Sequence, residues 1–163
     1  MRNLKLSAGF LTSLFLIISL FPKISVSASL NSCFVSASQY YNVPYWALLG
    51  IAKVESADDY YAVNVEGRSY FPDGYRQAYK IIYSNIDKSF DVGIMQVNKM
   101  WFDKFHYPYY IGLNPCFDVY LGAYVLARKI SRFGSSWQGI AAYHSADRNL
   151  NVAYAWEVYD AVK

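Results

Sequence analysis

The sequence of 163 residues is poor in the side chains that metal sites need, with two cysteines and two histidines. Structural zinc sites place their ligands in closely spaced pairs, and Cys33 and Cys116 lie far apart. We therefore predict no metal site. The chain also has no internal repeat, no low-complexity segment and no interior linker, which predicts a single folded domain.

Charged residues make up only 17% of the chain, and its excess of positive charge lies at the N-terminus. Arg2, Lys5 and Lys23 lie within residues 1–28, which contain no acidic residue. Without this segment the 15 basic residues fall to 12, the same number as the acidic residues. A neutral remainder gives no electrostatic reason to bind nucleic acid, and we predict no nucleic-acid partner.

Residues 1–28 have the pattern of a secretory signal peptide. Basic residues precede an uncharged stretch from Leu6 to Pro22, and Val26, Ser27 and Ala28 offer a cleavage site. The alternative is a retained membrane anchor, but the apolar stretch is barely long enough to span a bilayer. We predict cleavage after Ala28, export to the periplasm and a folded domain over residues 29–163.

The paired cysteines and the hydrophobic pattern together predict a mainly helical domain with one disulfide. An even number of cysteines in an exported chain favours a Cys33–Cys116 disulfide over two buried thiols. Gly93 interrupts residues 89–98, which we interpret as a loop or short strand. The predicted helices cover residues 33–41, 44–56, 75–85, 99–105, 115–133, 137–146 and 151–163. In the helix over 75–85, the residues predicted to face inward are Tyr75, Ala78, Tyr79 and Ile82.

Glu55 is the first candidate for chemistry, because it lies in the same helical stripe as Leu48, Ile51 and Ala52. A carboxylate on an apolar face loses hydration, which favours its protonated form. General acid catalysis near neutral pH uses such a group. The alternative is a surface carboxylate at the edge of the stripe, with its charged end in water.

The second candidate is the stretch GIMQVN, Gly93 to Asn98. A glycine allows the backbone to approach a ligand closely. The amides of Gln96 and Asn98 offer donors and acceptors that suit hydroxyl and N-acetyl groups. The alternative is an ordinary turn with polar side chains.

Three stretches in order resemble the motifs of lysozyme-like lytic transglycosylases of the SLT domain type. They are GIAKVES (Gly50–Ser56), DVGIMQVN (Asp91–Asn98) and IAAYHSA (Ile140–Ala146), and the resemblance covers nearly all of residues 29–163. The insert that contains AVNVEGR and AYKIIYSN is similar to the small enzymes that accompany type IV (conjugation) secretion systems. The cysteine contexts resemble those of both type III and type IV systems.

The resemblance implies a lysozyme-like helical fold in which Glu55 is the sole catalytic carboxylate. Glu55 would protonate the oxygen between N-acetylmuramic acid and N-acetylglucosamine. It would then accept the proton of the muramoyl C6 hydroxyl, which attacks the anomeric carbon and forms a 1,6-anhydro sugar. No cofactor is implied. Asp58, Asp59 and Asp91 are either helpers of Glu55, or solvated loop charges or helix caps.

The resemblance also implies a set of residues around the substrate. Ser56 either holds the Glu55 region or contacts the sugar, and Tyr143 forms a hydrogen bond near Glu55. His144 stands where the family has asparagine, so it is either an altered sugar contact or a surface histidine. The predicted substrate-binding residues are Ser56, Met95, Gln96, Asn98 and Tyr143.

The sequence thus predicts a monomeric periplasmic lytic transglycosylase that acts on peptidoglycan glycan strands. It would open the cell wall locally for a type IV or type III secretion apparatus, whose components are the predicted protein partners. Two alternatives stay open at this point. One is a muramidase that hydrolyses the same bond, and the other is a catalytically idle scaffold that binds peptidoglycan.

Overall fold

The computed structural model describes residues 29–134, 136–144 and 148–163, with only the backbone described for residues 148–151. The predicted signal peptide, residues 1–28, lies outside the described residues. So do Ser135, which precedes the sixth predicted helix, and Ser145 and Ala146 of the third motif. Within the described ranges, none of the helices combines the length and the apolar character that a membrane span requires.

Helices dominate the described part of the chain and confirm the predicted mainly α fold. The α-helices are α1 (Leu30–Tyr41), α2 (Tyr45–Ser56), α3 (Tyr75–Tyr83), α4 (Lys99–Phe105), α5 (Pro115–Phe133), α6 (Ser136–His144) and α7 (Arg148–Asp160). A 3-10 helix covers Tyr109–Leu113, and the short strands are β1 (Val63–Val65), β2 (Arg68–Tyr70), β3 (Phe90–Val92) and β4 (Val97–Asn98).

Polar caps fix several helix starts. The side chain of Asn114 accepts a hydrogen bond from the N–H of Phe117, and Pro115 is the first residue of α5, as predicted. Pro44 instead caps α2 from outside, and the helix begins at Tyr45. Ser29 caps α1, which therefore begins three residues before the predicted position at Cys33.

The four strands form one antiparallel sheet in the order β2-β1-β3-β4. Alternate residues on β1 and β3 point to one face, where Val63, Val65, Phe90 and Val92 are buried. The β1–β2 hairpin was not predicted from the sequence. It lies in the insert after Glu55, and its sheet partner β3 leads into the Gly93 turn.

Helix α3 covers this sheet with only half of its predicted inner stripe. Ala78 and Ile82 are fully buried, whereas Tyr75 and Tyr79 are 44% and 39% exposed. The prediction that both tyrosines face inward was wrong. Tyr79 instead stacks on Tyr83, with ring centroids 4.4 Å apart, because a tyrosine ring can cover apolar surface while its hydroxyl stays in water.

The larger core lies between α1, α2, α5, α6 and α7. The predicted disulfide joins Cys33 of α1 to Cys116 at the start of α5, which confirms that prediction. Gly50 of α2 lies directly against the main chain of Val158 in α7, and a Cβ atom at Gly50 would collide with that main chain. This close approach brings α7 alongside the helix that carries Glu55.

Candidate active site

Glu55 lies in the last turn of α2 and forms part of the wall of an open cleft. The cleft has a volume of about 320 Å³ and is lined by Val54, Glu55, His144, Ala153, Tyr154 and Glu157. The Glu55 side chain is 13% exposed. It is therefore a largely buried carboxylate with access to a cleft, and the alternative of a fully solvated surface carboxylate is excluded.

Tyr154 of α7 is the closest partner of Glu55. Its hydroxyl donates a hydrogen bond to Glu55 Oε1 at 2.6 Å, and the residue is only 5% exposed. Burial and the neighbouring Glu55 carboxylate both raise the pKa of Tyr154, so its hydroxyl stays a donor at any working pH. The sequence reasoning missed this residue, because 99 positions separate it from Glu55 and no local spacing connects them.

His144, at the end of α6, lies on the same side of the carboxylate. Its Nδ1 is 3.6 Å from Glu55 Oε1, and its ring stacks on Tyr154 with centroids 5.1 Å apart and planes at 17°. Interaction with the Glu55 carboxylate raises the pKa of His144, whereas burial works in the opposite direction. The histidine therefore belongs to the cleft, although its side chain is 55% exposed.

The turn between β3 and β4 lies beneath the end of α2. The Ser56 hydroxyl lies 2.8 Å from the main-chain oxygen of Ile94, to which it donates, and Ser56 is 1% exposed. Of the two roles predicted for Ser56, the structure favours the one that holds the Glu55 region in place. Tyr143 was predicted to form a hydrogen bond near Glu55, and its hydroxyl donates at 2.9 Å to the main-chain oxygen of Met95, in the turn that Ser56 also contacts.

Met95 was predicted to line the groove, but its side chain is fully buried and offers no surface to a sugar. Its backbone N–H donates to Asp118 Oδ2 at 2.7 Å. Gly93, with φ of +81°, makes room for this carboxyl, because a Cβ atom there would lie 2.6 Å from Asp118 Oδ2. Met95 thus supports the turn from below.

Asp118 is the second functional candidate that the sequence reasoning missed. It is fully buried in α5, and its Oδ1 has no hydrogen-bond partner among the described residues. Burial raises the pKa of this carboxyl well above its usual range, although the bond from Met95 opposes the rise. Asp118 shares a helical stripe with Leu121, Gly122 and Val125, the same signal that identified Glu55.

The amides of Gln96 and Asn98 are engaged within the protein. Gln96 Nε2 donates to the main-chain oxygens of Ala62 and Gly93 at 3.0 and 2.8 Å. Asn98 Nδ2 donates to Asp91 Oδ1 at 2.8 Å, and Asn98 Oδ1 accepts from the N–H of Met100 at 3.0 Å. Both amides therefore position the turn and its neighbours.

The three aspartates considered as helpers of Glu55 have different surroundings. Asp58 is exposed in the loop after α2, and Asp59 accepts a hydrogen bond from the N–H of Tyr61 at 2.8 Å. Asp91 is instead partly buried on β3. Burial raises the pKa of Asp91, the bond from Asn98 lowers it, and the charge of Glu55 raises it further. Asp91 is therefore part of the site's electrostatics.

The described residues contain no group of three His, Cys, Asp or Glu side chains arranged to hold a metal ion. Fold and site together define a mainly helical, disulfide-linked domain with one largely buried carboxylate in a cleft. The Transglycosylase SLT domain family matches residues 32–156. The chain belongs to this family.

Several characterised proteins are similar to the chain. The X polypeptide of Escherichia coli is 35% identical over a stretch that covers 41% of this chain and 46% of that protein. Protein IpgF of Shigella sonnei is 26% identical over 78% of this chain and 76% of that protein. Invasion protein IagB of Salmonella typhimurium (strain SL1344) is 24% identical over 86% of this chain and 82% of that protein. No solved structure matches the chain.

Proposed function

We propose that the protein is a murein lytic transglycosylase in which Glu55 acts first as the acid and then as the base. The observation that carries this proposal is the placement of one largely buried carboxylate, held by Tyr154, in the cleft of an SLT-family domain. The substrate is the β-1,4 bond between N-acetylmuramic acid and N-acetylglucosamine.

The reaction moves one proton out of Glu55 and one back. Glu55 gives its proton to the glycosidic oxygen, which leaves with N-acetylglucosamine as an alcohol. The muramoyl C6 hydroxyl then bonds to the anomeric carbon and gives its proton to Glu55, which restores the acid. The attacking hydroxyl belongs to the same sugar, so its effective concentration is far above that of a free nucleophile.

The contacts at Glu55 suggest which of its oxygens faces the substrate. Tyr154 donates to Oε1, and His144 Nδ1 also approaches Oε1. Oε2 is therefore the oxygen that we assign to the exchange of protons with the sugar. Ser56, Met95, Gln96, Asn98 and Tyr143 support this cleft through the turn below it.

Asp91 favours hydrolysis as a second candidate activity. It is a partly buried carboxylate whose pKa responds to the charge of Glu55. Inverting glycosidases use a second carboxylate to activate water. If Asp91 did this here, the product would be a reducing muramic acid, and Asp91→Asn would abolish the reaction as fully as Glu55→Gln.

For the cellular role, we propose local opening of the cell wall for a type IV or type III secretion apparatus. The signal-peptide pattern of residues 1–28 supports export to the periplasm, where the protein would act as a monomer on glycan strands. The similarity to an invasion protein supports a role in an envelope-spanning machine.

The direct test of the proposed activity compares Glu55→Gln with the parent on purified peptidoglycan. Glu66→Gln is the matched control, because it makes the same change at an exposed turn outside the cleft. We expect Glu55→Gln to release no soluble muropeptides and Glu66→Gln to release them at the parent rate. Equal release by Glu55→Gln and the parent would remove Glu55 from its role, and no release by any of the three would support an idle scaffold.

A further inference from the structure

His144 lies beside Glu55, and the proposed reaction gives it no role. Its Nδ1 lies 3.6 Å from the same Glu55 oxygen that accepts the Tyr154 hydrogen bond. This is an ion-pair distance, about 0.6–0.7 Å longer than the usual N–H···O hydrogen bond. The ring also lies nearly parallel to that of Tyr154, so the imidazole and the Tyr154 hydroxyl approach Glu55 from the same side.

The charged groups around His144 favour its protonated form. Those that face it are Glu55 from α2, Asp91 from β3 and Glu157 from α7, and all three are acidic. The ring of Tyr154 stacks on the imidazole, and the burial that raises the pKa of Tyr154 keeps its hydroxyl neutral. Each of the three carboxylates raises the pKa of His144, with Glu55 as the largest contributor.

We propose that His144 is a positioning residue for the catalytic acid: with Tyr154 it holds Glu55 Oε1, and thereby places the acid's proton on Oε2. When two donors already face one carboxyl oxygen, protonation of that oxygen is disfavoured, because its hydrogen would point at the hydrogens of the donors. The other oxygen then carries the proton and faces the sugar. As Glu55 releases this proton, both donors stabilise the negative charge that develops on the carboxylate.

The inference rests on the proposed function, because it assigns a proton position on the acid of that reaction. It also has a consequence that does not depend on activity. The charge of Glu55 should raise the midpoint of the His144 titration, and this shift can be measured in a protein without activity.

The first measurement is an NMR titration of the histidine rings in the parent and in Glu55→Gln. The chain has two histidines, so His106 serves as the internal reference. We expect the midpoint of His144 to lie above the ordinary value of about 6.5 in the parent and to fall in Glu55→Gln, with His106 unchanged. The same His144 midpoint in both proteins would overturn the proposal, whether or not either protein is active.

The second measurement compares His144→Ala with His144→Asn in peptidoglycan turnover across pH. Asparagine keeps an N–H donor but cannot carry the charge, whereas alanine keeps neither. We expect kcat to fall about tenfold in His144→Ala with KM within twofold, and to recover at least partly in His144→Asn. In both variants the pH profile of kcat should change, because the titrating imidazole of His144 is gone.

The outcomes separate the two proposals. Unchanged kcat and an unchanged pH profile in His144→Ala would overturn the positioning role while leaving the proposed transglycosylase intact. Loss of kcat in His144→Ala without any shift of the pH profile in either variant would indicate a purely structural histidine and would also overturn it. An active Glu55→Gln would instead overturn the proposed function itself.

Discussion

Replacing Tyr154 by phenylalanine tests how the proposed catalytic acid, Glu55, is held, with the smallest possible change. The ring stays in the core, and only the hydroxyl that donates to Glu55 Oε1 at 2.6 Å is lost. A hydrogen bond to a charged group contributes about 1.5–3 kcal/mol. Since each 1.36 kcal/mol is tenfold in rate, we expect kcat to fall roughly 10- to 100-fold.

The contact between Tyr154 and Glu55 also predicts which kinetic constant changes in Tyr154→Phe. Tyr154 touches the acid in the cleft wall, so we expect KM for soluble glycan fragments to stay within about twofold while kcat falls. The loss should be the same across the working pH range, because burial raises the pKa of Tyr154 and keeps its hydroxyl protonated.

The assay is steady-state release of muropeptides, with unfolding in urea measured on the same samples. Tyr143→Phe is the comparison, since its hydroxyl donates to the Met95 main chain and not to Glu55. We expect Tyr143→Phe to lose about 1 kcal/mol of stability and to retain more activity than Tyr154→Phe. Parent activity in a folded Tyr154→Phe would refute the reasoning.

Three further predictions concern the scaffold. Gly93→Ala should lower the free energy of unfolding by about 3 kcal/mol or more, because it adds positive-φ strain to a close approach, whereas Gly67→Ala, with similar φ but open space, should cost about 1 kcal/mol in the same urea titration. Because the folded-state pKa of Asp118 is raised, the folded protein binds the extra proton, and its stability should fall as pH rises from about 4 toward that pKa. Asp118→Asn should flatten this pH dependence and Asp118→Leu should lose about 1–3 kcal/mol near pH 4, whereas a parent-like slope in Asp118→Asn would contradict the assignment. Reducing the Cys33–Cys116 disulfide should cost about 4 kcal/mol, and an unchanged unfolding midpoint under reductant would show that the link contributes nothing.

Most helices of the fold could be predicted from the sequence. Long segments with regular hydrophobic spacing define α2 and α5, and the Asn114–Pro115 pair marks the start of α5. The β1–β2 hairpin could not be predicted, because strands of three residues are too short to show an alternating pattern of apolar and polar residues. Tyr79 was misassigned because tyrosine satisfies both an apolar and a polar surface.

Site residues could be predicted from the sequence where a polar residue interrupts the apolar stripe of a helix. Glu55 was found in this way, and Asp118 carries the same signal, although it was not recognised. Tyr154 could not be found from spacing, because only the packing of α7 against α2 brings it to Glu55. Met95 was assigned to the groove by resemblance, whereas its burial beneath the turn depends on the three-dimensional packing around Gly122.

The central claim is that Glu55 transfers the muramoyl residue to its own C6 hydroxyl. Mass spectrometry of the muropeptides released by the protein, in water enriched in heavy oxygen, tests this most directly. We predict fragments that end in 1,6-anhydromuramic acid, lighter by one water than hydrolysed fragments and free of heavy oxygen. Fragments that end in reducing muramic acid with heavy oxygen at the anomeric carbon would contradict it.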